Sequence, residues 1–303
     1  MFKQEDVPGK GRGLVAAADL PVGTVLITEE PLMSAGGSVD EIIDAFEKLS
    51  NEEKEKVLCL HDPGINHLST LLISKIKSTY TESEEKVLRI FFGNSIALCN
   101  QKEMYVNKSG LYPTISLINH SCVPNVVWSW LLADRSRRVK QVKVIRELKE
   151  GEEISASYCS DIETFPTKAE RRRLLMNWNF TCQCKLCSLT GEEWKANDGT
   201  RKEISKLHED VVSLAAVGLL EQSLKASMKK VSIMKSIKEE VITNFPSALM
   251  ECCEMAGRCR QFKQRSAEKS MKKAKQMSEQ YGDCFIFNYQ KQEAKVKKIL
   301  RDN

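Results

Sequence analysis

The rhythm of apolar and polar positions changes several times along this chain, and each rhythm predicts a kind of element. Between residues 9 and 32, short apolar runs alternate with glycine and proline turns. Gly9-Lys10-Gly11-Arg12-Gly13 excludes a regular helix, because glycine there costs about 1 kcal/mol per residue relative to alanine. Leu14-Val15-Ala16-Ala17-Ala18, the turn Leu20-Pro21-Val22-Gly23 and the β-rich Thr24-Val25-Leu26-Ile27-Thr28 then predict a hairpin-like pair. From residue 36 to residue 98 the period lengthens. Ile42, Ile43, Phe46 and Leu49 recur at helical spacing, Leu68–Ile76 reads as an amphipathic helix, and Val87, Leu88, Phe91 and Phe92 mark a further one. Ser50 with Glu53, and Thr81 with Glu84, have the spacing of capping boxes.

After Tyr105 the pattern returns to short strands. Val126–Leu132, Arg138–Ile145 with its polar–apolar alternation, and Ile154–Tyr158 after the turn Glu150-Gly151-Glu152-Glu153 are the strand candidates. Thr167–Trp178 reads as a helix, capped by Thr167 and Glu170, with Leu174, Leu175 and Trp178 on its buried face. Residues 201–303 read as helical throughout. Leu207, Val211, Leu214, Val217 and Leu220 mark one face, and Pro246 and Gly282 break the run, so three to five antiparallel helices are expected. Ala248–Tyr281 has the texture of a single helix-turn-helix repeat. Small sheets interrupted by helices predict an α+β fold rather than a doubly wound one.

Composition narrows the class. The 303 residues, 42% hydrophobic and 29% charged, are those of an ordinary globular protein of one large or two medium domains. No apolar run approaches the ~20 residues of a membrane span. The start Met1-Phe2-Lys3-Gln4-Glu5-Asp6 lacks the apolar stretch of a secretory signal, so an intracellular protein, nuclear or cytoplasmic, is expected. In that setting the 11 cysteines are thiols or metal ligands rather than a disulfide framework. Seven of them, Cys59, Cys99, Cys159, Cys252, Cys253, Cys259 and Cys284, are scattered and expected to behave as small buried apolar residues. Charge is uneven. Residues 1–195 carry 25 basic and 27 acidic side chains, net −2, whereas residues 196–303 carry 21 and 14, net +7, which sets a boundary near Gly199. Such an excess most simply forms solvated helix faces, and no direct binding of nucleic acid is expected.

Two stretches carry chemistry. Gly110-Leu111-Tyr112-Pro113 leads through an apolar run into Asn119-His120-Ser121-Cys122-Val123-Pro124-Asn125. A buried Asn-His-Ser cluster must be satisfied by the fold or face a ligand, since unpaired polar groups cost several kcal/mol. Cys182-x-Cys184-x-x-Cys187 offers three soft thiolates, and structural zinc takes four ligands, so a fourth must arrive through folding. The glycine run lacks the spacing of a dinucleotide or phosphate loop, and there is no HExxH, GxSxG or Ser-His-Asp order. His61, His67 and His208 carry no recognisable catalytic or ligand spacing and are given no functional role.

The order of these signals resembles SET-domain protein-lysine methyltransferases. It runs from Gly11-Arg12-Gly13 through Gly93-Asn94-Ser95, Asn119-His120-Ser121-Cys122-x-Pro124-Asn125 and Gly151-Glu152-Glu153-Ile154 to Tyr158, then to Phe180-x-Cys182-x-Cys184-x-x-Cys187. Within that class the chain is most similar to the SET-and-MYND (SMYD) family, which places GLYP ahead of NHSCxPN and an arginine-bearing helix ahead of FxCxCxxC. The resemblance implies a β-rich SET fold with a pseudoknot, divided into an N-terminal part (1–35), a helical insertion (36–90), a core (91–165), a zinc-binding post-SET segment (166–192) and an all-α C-terminal array (199–303). It implies S-adenosylmethionine as methyl donor, a protein lysine as acceptor, and one structural zinc. Carried over residue by residue, Lys10, Gly11, Arg12, Asn94, Asn119, His120 and Phe180 would bind the cofactor. Tyr158 would be catalytic, Trp178 and Tyr158 would line the substrate channel, and Cys122, Cys182, Cys184 and Cys187 would hold zinc. A monomer is expected. Two departures stand out. The insertion holds only Cys59 and so cannot form the MYND zinc module, and Trp178 stands where the family commonly has a second active-site tyrosine. A catalytically silent SET scaffold that binds partners through its C-terminal helices is the alternative.

Overall fold

The chain opens with a pair of strands that the apolar pattern does not announce. In the computed structural model, which describes residues 1–36, 38–64, 76–77, 79–98, 108–131, 138–159, 165–237, 240–259, 264–281 and 283–301, β1 (Phe2–Val7) runs antiparallel to β2 (Gly11–Ala16). Val7 carbonyl accepts from Lys10 N–H at 3.0 Å, and Gly9 and Gly11 take φ of 73° and 71° to close the turn. The described chain forms two compact units. One holds Met1–Ser121, Asn125–Tyr158 and Arg172–Cys182; the other holds Cys122–Pro124, Cys159–Arg171 and Gln183–Asn303.

The first unit contains three small sheets. β10 (Glu153–Ala156) lies between β2, to which it is antiparallel, and the two-residue β7 (Asn119–His120), to which it is parallel, giving the order β1-β2-β10-β7. β3 (Val25–Glu29), β9 (Lys140–Val144) and β8 (Val126–Trp130) form the second sheet in the order β3-β9-β8. β4 (Met33–Gly36), β6 (Lys108–Leu111) and β5 (Ile96–Ala97) form the third in the order β4-β6-β5. The expected hairpin between residues 14–18 and 24–28 is therefore not made: β2 pairs with β1 and β10, and β3 pairs with β9. The true partner β1, Phe2-Lys3-Gln4-Glu5-Asp6-Val7, is a charged strand with apolar residues only at its ends, so alternation could not reveal it. Inward residues of the first two sheets, among them Leu14, Leu26, Val126, Val142, Val144 and Ile154, share one core with Tyr112, Ile115 and Ile118. Each such side chain stabilises by about 1.5–3 kcal/mol on burial.

The insertion is helical. α1 (Val39–Glu47), α2 (Asn51–Leu58) and α3 (Glu82–Asn94) bury Ile42, Phe46, Val57, Leu88 and Phe91 against Met33, Ala35 and Leu111 of β4 and β6. Ser50 with Glu53 and Thr81 with Glu84 form the reciprocal capping boxes their spacing predicts. The predicted helix Leu68–Ile76 lies outside the described residues except for its last position.

The second unit is a run of helices. The helix expected at Thr167–Trp178 is α4 (Lys168–Leu175) tightened into a 3₁₀ turn at Met176–Trp178. Then follow α5 (Gly191–Ala216), α6 (Leu220–Ser236), α7 (Phe245–Arg258), α8 (Gln264–Tyr281) and α9 (Asp283–Arg301). Each of α5 to α9 packs on the next, and α9 also packs on α7. Pro246 interrupts the pattern by starting α7, where its missing N–H costs nothing. The step in charge near Gly199 falls inside α5. Leu207 and Val211 are buried as their spacing predicts, but Val217 is 71% exposed because α5 has ended before it. The scattered cysteines also depart from expectation: Cys253 is buried, Cys159, Cys252 and Cys259 are half-buried, and Cys59 is exposed as the residue that ends α2. Cys99 and the Cys284 side chain lie outside the described residues.

Candidate active site and metal centre

A 3₁₀ turn, Ile115–Leu117, buries Ile115 in the core and delivers the chain to β7. There Asn119 stands opposite Ser155 and His120 opposite Ala156. Ser121 N–H continues the ladder to the Ala156 carbonyl at 2.9 Å. Asn125 then fastens the same strand through its side chain: Oδ1 accepts from Ser155 N–H at 2.8 Å, and Nδ2 donates to the Glu153 carbonyl at 2.8 Å. The polar cluster is thus partly satisfied by its pairing with β10, and Asn125 secures β10 beside it. Sequence reasoning had quoted Asn125 only as the end of a motif.

His120 is buried, and its Nδ1 accepts the backbone N–H of Tyr158 at 2.9 Å. That bond leaves the ring proton on Nε2. The His120 ring lies 5.2 Å from Tyr158 and 5.9 Å from Phe180. The Tyr158 hydroxyl donates to the Ile118 carbonyl at 2.8 Å. Burial pushes this phenol well above its ordinary range, and the negative charge of Glu153 adds to the effect, so Tyr158 remains a neutral donor. Trp178, Trp128 and Phe180 complete the aromatic wall, with ring centroids 5.3, 6.3 and 6.2 Å from Tyr158. The Trp178 indole N–H is held by the Gly93 carbonyl at 3.1 Å. Between Trp178 and Phe180, Asn179 adopts a left-handed φ of 56°, and this turn brings both flanking rings to Tyr158.

The remaining candidates sit around this corner with their side chains committed. Asn119 Nδ2 donates to the Arg12 carbonyl at 3.3 Å. Gly13 makes that approach possible, because a Cβ there would lie 2.7 Å from both Asn119 Nδ2 and Val7 Cγ2. Lys10 is paired with Glu153, and the Arg12 guanidinium donates to the Cys59 carbonyl in the insertion. Asn94 Nδ2 donates to the His61 and Ile90 carbonyls at 2.8 and 2.7 Å. The structure therefore gathers Asn119, His120, Tyr158, Trp178 and Phe180 in one place, with the backbone of Gly11–Gly13 alongside, while Lys10, Arg12 and Asn94 present their polar ends to the protein itself. Gly13, Gly93 and Trp128 belong to the corner and were missed as site residues. The glycine run carried a signal for close approach that needed a partner to be read.

The thiols of Cys122, Cys182, Cys184 and Cys187 lie within 4.8 Å of one another, and Cys122 Sγ is 3.5 Å from Cys187 Sγ. A tetrahedral zinc with bonds of about 2.3 Å needs sulfur atoms about 3.8 Å apart, so this donor set fits the ion. Four thiolates leave no open position, which makes the centre structural rather than catalytic. Beside the cluster, Arg171 at the start of α4 is 3% exposed. Its Nη1 donates to the Pro166 carbonyl at 2.8 Å. Burial works against its charge, but the Cys187 and Cys122 thiols more than offset this and hold its pKa above the ordinary value. The Cys159 thiol nearby is pushed up to about 11 by burial, which makes it an inert thiol.

Residues 11–159 match the sequence model of the SET domain. The histone-lysine N-methyltransferase set5 of Schizosaccharomyces pombe is 26% identical over 209 residues, covering 68% of this chain and 56% of that protein. The N-lysine methyltransferases SMYD2-A of Xenopus laevis and SMYD2 of Homo sapiens are 26% and 25% identical over 225 and 228 residues, covering 72% of this chain and 45% of each relative. The chain thus spans about half the length of the curated relatives it matches. A solved structure, the SET domain of LSMT bound to lysine and AdoHcy, aligns with 99% of this chain and 85% of its own at 13% identity and a TM-score of 0.38. With the Asn-His-Ser-Cys strand, the half-buried tyrosine that follows it and the thiol cluster in these positions, residues 11–159 of the chain match the SET domain family.

Proposed function

We propose that this chain transfers a methyl group from S-adenosylmethionine to the side chain of a lysine in a protein. The observation that carries the reading is Tyr158, half-buried and protonated, with its hydroxyl on the Ile118 carbonyl and its ring inside an aromatic corner at the end of the Asn119–His120 strand. When bound, S-adenosylmethionine supplies an electrophilic methyl group on a sulfonium sulfur. The chain's part is alignment and dryness, since in-line transfer needs orientation more than an activated nucleophile. Tyr158, Trp178, Trp128 and Phe180 wall the place where a lysine would enter, and an apolar wall disfavours its charged form. The Tyr158 hydroxyl and the Ile118 carbonyl supply oxygens that orient a methyl group through weak C–H···O contacts. Asn119, His120 and Phe180 hold the cofactor. Lys10, Gly11 and Arg12 do so through their backbone, their charged ends being engaged by Glu153 and Cys59, and Asn94 does so from the end of α3.

The relatives' names, histone-lysine and N-lysine methyltransferase, support a protein lysine as the acceptor. We read the chain as a monomer in an intracellular compartment, nucleus or cytoplasm, with no direct nucleic-acid contact. No described helix is long and apolar enough to cross a membrane. Trp178, which brings an indole where a second hydroxyl would stand, favours the second reading, a SET scaffold that binds partners without transferring methyl. Titration calorimetry with S-adenosylmethionine and transfer of labelled methyl to lysate proteins separate the two. The expected outcome is binding by wild type and Tyr158→Phe alike, with transfer by the variant falling about a hundredfold. Binding without transfer by wild type would favour the scaffold; no binding would sink the enzyme reading.

A further inference from the structure

The end of α4 carries apolar side chains that the core does not take up. Leu175 is wholly buried, but its neighbours are not. Leu174, which the sequence places on the buried face, is 38% exposed, and Met176 is 69% exposed. Both lie in Arg172–Cys182, a stretch that belongs to the first unit together with Tyr158. Leu174 stands about one turn ahead of Trp178, and Met176 opens the 3₁₀ turn that Trp178 closes. The uncovered apolar strip thus runs along the chain directly into the aromatic corner, where Trp178 and Phe180 meet Tyr158. Arg172 and Arg173 precede it on the same helix, both exposed, and neither forms an ion pair among the described residues. Continuity and charge together name the occupant. A segment whose lysine enters the corner lies against the residues that lead into Trp178, and guanidinium groups without partners suit carboxylates.

We propose that Arg172, Arg173, Leu174 and Met176 select the substrate segment, favouring a lysine with an apolar residue beside it and aspartate or glutamate beyond. The inference rests on the methyl-transfer reading of the corner and names the substrate class which that site takes. Leu174 and Met176 gain by burial against the apolar neighbour of the lysine. The arginines attract acidic flanks and repel basic ones, so they contribute discrimination more than affinity.

Two fluorescein-labelled peptides test this, each with a single lysine. One has leucines beside the lysine and aspartates beyond; the other has serines beside it and arginines beyond. Affinity is read by fluorescence anisotropy with S-adenosylhomocysteine present, and kcat/KM with S-adenosylmethionine by mass spectrometry of the peptide. Wild type is expected to favour the leucine–aspartate peptide by about tenfold or more in both. Leu174→Gln combined with Met176→Gln is expected to weaken that peptide by about tenfold while calorimetric binding of S-adenosylmethionine stays at the wild-type value. Arg172→Glu combined with Arg173→Glu is expected to shift the preference towards the arginine peptide, which a merely structural role would not do. Met228→Gln, at an exposed methionine of α6 in the second unit, is expected to match wild type. Equal affinity of wild type for the two peptides would overturn the proposal. So would an unchanged preference in the glutamate variant, or an equal loss in Met228→Gln. Methyl transfer to both peptides alike would overturn the selecting strip and leave the enzyme reading standing. Preferential binding of the leucine–aspartate peptide without transfer would overturn the enzyme reading and uphold the strip as a docking surface.

Discussion

At Gly13 a single missing side chain decides the geometry of the corner. Asn119 Nδ2 occupies the space a Cβ would need, and β7 cannot yield because Asn119 and His120 are both hydrogen-bonded to β10. Gly13→Ala must therefore push Asn119 or Val7 aside. Overpacking of this kind costs about 1–3 kcal/mol. The expected result is a lower melting temperature together with about tenfold weaker binding of S-adenosylmethionine in calorimetry. An unchanged affinity would show that the Asn119 side chain takes no part in the cofactor site. At this scale the sequence was informative where residues act as a string: Asn119 to Cys122 and Cys182 to Cys187 could be singled out because small polar or soft side chains crowd together. It was silent where a residue acts on a distant backbone. Asn125 pairs with both a donor and an acceptor of β10, Gly93 offers its carbonyl to Trp178, and Gly13 makes room for Asn119, and no spacing rule connects residues 28 or more positions apart.

Among the elements, the local ones were legible and the paired ones were not. The capping boxes of α2 and α3 lie within four residues and formed as their spacing predicts. The partner of β2 depends on β1 and β10, which are separated by most of the first unit, and the alternation within β2 cannot name them. The insertion shows how a non-local tie can still be tested. Asp62, beyond α2, receives two hydrogen bonds from Arg89 Nε and a third from Nη2 at 2.8 Å, and also accepts Gly64 N–H. The Arg89 bonds, ahead of burial and the Gly64 bond in size, hold the Asp62 carboxyl below its usual range. A carboxyl with a depressed folded value contributes stability fully above its unfolded value of about 3.9, and that stability is lost as pH falls through the folded value. Asp62→Asn keeps an oxygen for Gly64 but removes the charge. It is expected to lower stability in urea by about 1.5–3 kcal/mol at pH 7, with the gap to wild type closing as pH falls below about 4. A gap of constant size across that range would mean that the ion pair contributes nothing.

Over the whole molecule the decisive fact is how short the chain is between two chemistries. His120 turns its ring to Tyr158, and two residues later Cys122 turns its sulfur to the thiol cluster. The helices from α5 onward could be read from period and charge alone, because each buries one stripe against its neighbours. The meeting of Cys122 with three thiols sixty residues on could not, because it is a product of topology. Its consequence is a coupling through the backbone itself: a metal that fixes Cys122 also restrains the segment that positions His120 and Asn119. Metal analysis is expected to return about one zinc per chain. Stripping it with a strong chelator is expected to lower the melting temperature and to weaken S-adenosylmethionine binding, with both restored by stoichiometric zinc. Cys184→Ser, distant in sequence from Asn119 and His120, is expected to reproduce both effects, because it removes the ion rather than a contact of that strand. Cofactor binding that survives complete loss of zinc would show that β10, through Ser155 and Asn125, holds the strand by itself.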